Sequence, residues 1–306
     1  MIGLNGRRRA VAARHCVWAL ALLLLLLLGA MPPALAQNAG ALRARHTALA
    51  AQLADNVYGR PLALASNEEG ERIEGDVHAR LDGPFARIAS SLQGTGQWCE
   101  ILFLHLNVKS CRGAQGEAGE KLGLVVGSKH DQPLARAYSL DFDYSVVARE
   151  PDYLRLRLAA DEGPLGTRDY RIEVEVVALD NQRSFLHLSY SYRVGFAARM
   201  AMQAYLSTVG RDKVGFSEIG RTQDGQRQLV GGSRGVVERN TMRYYLAIEA
   251  YLASLAQPPA RQFEQRLADW QTGVERYPRQ LHELERSEYL ALKRGQRRAQ
   301  IVPSGS

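Results

Sequence analysis

The chain lacks the short motifs that mark the commonest site chemistries. It has no GxGxxG after a strand, no GxxxxGK[ST] and no HExxH, so a phosphate-cradling loop and a zincin helix are both missing. Cysteine is scarce, with three in 306 residues, and the seven histidines are scattered. Without a His/Cys cluster no metal site is expected, and the residues call for no cofactor. Acidic residues are missing altogether from the first 36 positions.

That acid-free front has the form of a targeting segment. Arg7, Arg8 and Arg9 precede an apolar run, Val17 to Leu28, that holds seven consecutive leucines, and Ala34-Leu35-Ala36 fits a cleavage site before Gln37. The run is shorter than the roughly 20 residues that span a bilayer. Residues 1–36 are therefore expected to be a signal peptide, and the mature protein to be periplasmic or secreted without a stable membrane span. Removing Arg7, Arg8, Arg9 and Arg14 takes the formal charge from +7 to +3. A mature chain with so small an excess is not an electrostatic nucleic-acid binder.

Cys99 and Cys111 survive cleavage, and an even pair in an exported chain reads as a disulfide. Twelve extended steps would hold the two Cα atoms roughly 40 Å apart, whereas a disulfide needs about 4.4–6.8 Å. The chain must double back. A helix from Cys99 to about Leu106, returned by Asn107 to Ser110, does this.

Two periods organise the rest. Ile73, Val77, Ala79 and Leu81 alternate with Glu74, Asp76, His78 and Arg80, a strand with one buried face. Pro84 then opens a short helix with Phe85, Ile88, Ala89 and Leu92 on one side. From Tyr138 four strands follow in a meander, with Tyr138, Leu140, Phe142, Tyr144, Leu154, Leu156, Leu158, Tyr170, Ile172, Val174, Leu186, Leu188, Tyr190 and Tyr192 on one face. Such alternation predicts an antiparallel sheet with one wet side. That wet side is the expected place of His187, Arg193, Asp141 and Asp143, while His105 reads as a core histidine. Arg112 to Gly119 reads as a Gly-rich loop.

Helices are expected over the apolar face. Phe196 to Val209 carries Met200, Ala204 and Leu206 in a helical frame, and Val214 to Gly232 reads as a hairpin or flap. The stripe Val237-Thr241-Tyr244-Tyr245-Ile248-Tyr251-Leu252-Leu255 marks a long helix. Beyond Pro258-Pro259, a heptad seam of Phe263, Leu267, Trp270, Val274, Tyr277, Leu281 and Leu284 is interrupted by Pro278, which predicts two helices. This pair either folds onto the domain or docks an envelope protein through residues 258–295. Lys293 to Arg298 reads as a frayed basic tail. The class is α+β: a curved antiparallel sheet gripping a long C-terminal helix, with an added C-terminal helical pair.

The opening GDVHARLDGPFARIASSL and QWCEIL, the meander and the long helix together resemble the START-like, helix-grip superfamily. The resemblance divides the chain into a helical arm (37–66), a START-like domain (67–256) and a C-terminal extension (257–306). It implies an enclosed apolar ligand, a hydrophobic small molecule or lipid. Buried tyrosines need partners for their hydroxyls, which suits a cavity with apolar walls and a few polar points. The expected lining is Tyr138, Phe142, Tyr144, Tyr170, Tyr190, Tyr192, Tyr244, Ile248 and Tyr251. No catalytic residues are assigned. An interaction module acting through the C-terminal helices is the alternative, and a hydrolase or cyclase needs acid–base partners that the spacing does not reveal.

Overall fold

Alternation sets the sheet, and a glycine sets its first turn. The computed structural model describes residues 38–116, 119–208 and 210–301; the expected signal peptide lies outside the described residues. Strand β1 (Leu62–Glu69) turns at Gly70, whose φ of 59° suits glycine, into β2 (Arg72–Asp82). Helices α1 (Ala39–Ala48) and α2 (Ala50–Ala54) come before them. The short piece Leu62–Ser66 is thus extended, as the start of an edge strand.

After β2, α3 (Phe85–Leu92) and α4 (Thr95–Leu102) follow in quick succession. Gly94, at φ 103°, makes the bend between them, and the Trp98 indole N–H ties them by donating to the Leu92 carbonyl at 2.8 Å. Strands β3 (Val108–Gly116), β4 (Gly119–Val126), β5 (Tyr138–Arg149), β6 (Tyr153–Glu162), β7 (Thr167–Ala178) and β8 (Arg183–Val194) then form the meander. Arg112 to Gly116, expected in a loop, belongs to β3 and pairs with β4. The sheet has eight strands in the order β1-β2-β8-β7-β6-β5-β4-β3, because β8 returns to pair with β2.

The disulfide joins α4 to β3. Cys99 and Cys111 are bonded with their Cα atoms 5.2 Å apart. The chain doubles back through a short helix and the first residues of a strand.

Helix α5 (Phe196–Ser207) and the hairpin of β9 (Glu218–Arg221) and β10 (Arg227–Leu229) precede α6 (Gly232–Ser254). In α5 it is Ala198 that is buried, while Met200, expected to face inward, is 51% exposed. Helix α6 approaches the sheet so closely at Gly75 that a Cβ there would lie 2.4 Å from Thr241 Oγ1. Its burial extends beyond one stripe, to Glu238, Arg239, Met242, Arg243, Leu246 and Ala247.

The other side of α6 is covered by α7 (Pro259–Val274), which leads through α8 (Pro278–Leu281) to α9 (Arg286–Ile301). The break falls at Pro278, as the missing N–H requires. Leu267, Trp270, Val274 and Leu281 of the seam are buried in the common core, so the seam folds onto the domain. Lys293 to Arg298 is not a frayed tail. It lies in α9, and the fully buried Lys293 ammonium donates to the His105 and Val108 carbonyls at 2.8 and 2.7 Å. Among the described residues, no helix is long and apolar enough to cross a membrane.

Candidate functional site

The inner faces of β7 and β8 bring three tyrosines together, and α6 adds a fourth. Tyr170 and Tyr192 stack with centroids 5.3 Å apart and planes 11° apart. Tyr190 lies 5.1 Å from Tyr244, edge to face. Tyr170 donates its hydroxyl to Thr167 Oγ1 at 2.8 Å. Burial pushes the pKa of all four phenols up, so they stay neutral and act as hydrogen-bonding groups.

Beside this cluster are two adjoining cavities, of about 370 and 420 Å³. Both are lined by Asn107, Pro164, Leu165, Tyr170, Tyr190 and Asn240. The first extends to His105, Tyr138, Leu140 and Tyr244, and the second to Tyr192, Val194, Ala198 and Met202. Leu165 sits in the turn between β6 and β7, where a φ of 58° puts a non-glycine residue in the left-handed region. It lines both cavities and is still 57% exposed, which makes it a lip rather than part of the floor.

Of the residues expected to line a cavity, the structure brings together Tyr138, Tyr170, Tyr190, Tyr192 and Tyr244. Four are placed elsewhere. Phe142 is packed in the core against the edge of Tyr170. The Tyr144 hydroxyl accepts the Gly94 N–H at 2.8 Å, tying β5 to the α3–α4 bend. Ile248 is fully buried, and Tyr251 lies under the Arg266 guanidinium at 5.0 Å. The last two sit further along α6, past the cavity end. Two turns separate Tyr244 from Tyr251, about 10 Å along the axis, and one hollow does not reach both.

His105 is a core histidine with its Nδ1 accepting the Asn107 N–H at 3.2 Å. Burial, followed by the nearby Arg243, Lys293 and Lys129 charges, holds it well below the ordinary imidazole range. It is therefore a neutral wall of the first cavity. Three basic residues line the second cavity: Lys129, Arg239 and Arg243. Alternation could not have revealed them, since Lys129 comes from the β4–β5 connection and the arginines from the buried middle of α6.

The outer face holds a second cluster, and there the expectation of a solvated side is corrected. His187 is held between Asp76 Oδ1 at 2.7 Å and Glu175 Oε2 at 3.0 Å. The Tyr153 hydroxyl donates to the same Glu175 carboxylate, and His78 stacks on His187 at 4.2 Å. The cover comes from α1: His46 meets the Phe185 ring at 4.9 Å, and Arg43 Nε donates to the Ala178 carbonyl at 3.1 Å. Alternation specifies which side a residue faces but not whether another element lies over it. Asp141 and Asp143, near the other end of the sheet, are exposed, and Arg193 is half-exposed beside Asp169. Among the described residues, no group of His, Cys, Asp and Glu could hold a metal ion.

A strand feeding two short helices, a meander that closes back on that strand, and a long helix held against the inner face define an α+β helix-grip fold. Among solved structures the chain is similar to a START superfamily protein from Mycobacterium smegmatis, at 12% identity over 46% of this chain and 93% of that one, with a TM-score of 0.31. It is also similar to norcoclaurine synthase from Thalictrum flavum in complex with dopamine and hydroxybenzaldehyde, at 15% identity over 47% and 87% of the two chains, TM-score 0.31. A conserved protein from Geobacillus kaustophilus matches at 18% identity over 45% and 85%, TM-score 0.30. No protein-family model matches the chain. A search of curated proteins gives no match either.

Proposed function

We propose that the protein is an exported carrier that holds an apolar or amphipathic small molecule between its sheet and α6. The observation that supports this most is the pair of tyrosine-walled cavities of about 370 and 420 Å³, sizes within the roughly 300–1,000 Å³ of small-molecule sites. Export rests on the leader-like first 36 residues and accords with the single disulfide. Binding without catalysis is favoured because the His187–Asp76–Glu175 cluster, the natural place to seek acid–base chemistry, lies on the opposite face of the sheet from the cavities.

Native mass spectrometry of the protein purified from the periplasm tests this reading. The expected result is an adduct that dissociates on denaturation and is recovered by organic extraction. An adduct-free protein whose melting temperature no hydrophobic probe raises would overturn it.

A further inference from the structure

The cavities differ from a plain apolar hollow in the sign of the charge around them. Lys129, Arg136, Arg239 and Arg243 line them, and no acidic residue does so among the described residues. Behind the wall, Lys129, Arg243 and Lys213 converge on one carboxylate, Glu283, at 2.5, 2.9 and 3.8 Å. Partial burial weakens solvent screening of such charges. At Lys129, burial and then the Arg243 charge push the ammonium down to about 8, against the opposing pull of Glu283. On the wall of the first cavity, the buried Nε2 of Gln132 is a donor without a hydrogen-bond acceptor. A guest with an anionic oxygen would complement both features, since a buried donor left unmade is costly.

We propose that the site takes a small organic anion, with an aromatic or single-chain body against Tyr170, Tyr190, Tyr192 and Tyr244 and a carboxylate, sulfonate or phosphate head among Lys129, Arg239 and Arg243. This rests on the carrier reading and narrows its ligand by charge and by size. Two hollows of this volume suit one ring system or one short chain. The tyrosine faces hold the body, and the cations fix which end enters.

A matched pair of dyes separates the two ideas. Anilinonaphthalene sulfonate and phenylnaphthylamine share an aromatic body and differ in the charged group. Titrated into the mature protein, the sulfonate should bind about tenfold more tightly than the neutral dye, the effect of one charge-assisted hydrogen bond. Lys129→Gln and Arg239→Gln should each remove about that tenfold from the sulfonate and leave the neutral dye unchanged. Arg239 also donates to the Val214 carbonyl, so its variant loses a structural contact as well. Lys129→Gln, at a partly exposed side chain, keeps the test open should the arginine variant not fold. Equal affinities for the two dyes, or sulfonate binding indifferent to a folded variant, would overturn the anionic head and leave the carrier reading standing. Failure of both dyes to bind would overturn the two together.

Discussion

His78 and His187 face each other across the β2–β8 pair with nearly parallel rings, yet their surroundings move them in opposite directions. For His78, burial and then the charges of His187 and Arg45 lower the imidazole to about 3, with only Asp76 opposing. For His187, burial also lowers it, but hydrogen bonds and charge from Asp76 and Glu175 prevail and lift it to about 9. The consequences for stability have opposite signs. A raised value favours the folded state below the ordinary 6.5, and that contribution fades as pH climbs through 9. A lowered value favours the folded state above 6.5, and that contribution is lost as pH falls towards 3. Stability is therefore expected to peak near pH 6.5. On the alkaline side His187 should account for a decline of up to roughly 3 kcal/mol. Urea unfolding at a series of pH values checks it, with His187→Gln predicted to flatten the alkaline limb. An unchanged limb in that variant would show that the histidine is not its source.

Two elements depend on single residues in ways that can be measured. Helix α6 reaches the sheet because Gly75 has no side chain. In Gly75→Ala the new methyl meets Thr241 Oγ1, whose hydroxyl already donates to the Val237 carbonyl at 2.8 Å. Overpacking of this kind costs about 1–3 kcal/mol. Adding Thr241→Ala should return part of it, so the double mutant is expected to be more stable than the sum of the single effects implies. Strict additivity would mean that the two groups do not meet. The disulfide ties α4 to β3, and Cys99→Ser with Cys111→Ser should lower the unfolding free energy by about 3 kcal/mol, read from urea unfolding with midpoint and m-value both fitted. Strands of this sheet were legible because a period of two has no other simple reading. Helix α6 was legible in place and length but not in burial. A stripe announces one partner, and nothing in its spacing tells that α7 covers the other side. The basic end was misread for a similar reason. Run together, Lys293, Arg294, Arg297 and Arg298 look solvated, and only the folded chain brings two carbonyls to the Lys293 ammonium.

Taken whole, the molecule joins its helix-grip part and its C-terminal helices through one core. The tyrosine side of the candidate site could be read in advance, since inward-facing tyrosines repeat along strands. The cationic side could not, because Lys129, Arg239 and Arg243 come from separate segments that only the topology unites. The same topology makes α7 to α9 part of the fold's stability. Trp270 is fully buried, donates its indole N–H to the Arg243 carbonyl at 3.1 Å and stacks on Tyr289 at 4.8 Å. Tyr289 in turn donates to the Leu104 carbonyl at 3.0 Å, just before the strand that carries the disulfide. A chain ended at Gln257 would lose these contacts and expose the second face of α6. It is therefore expected to lose cooperative unfolding and bind hydrophobic dye nonspecifically, as loosely packed states do. The full chain should unfold in one transition, with circular dichroism and tryptophan fluorescence coincident, and Trp270→Ala should destabilise it by about 3–5 kcal/mol. A truncated chain that keeps a sharp transition and the full chain's affinity for the sulfonate dye would show instead that the C-terminal helices are an appendage to a core complete without them.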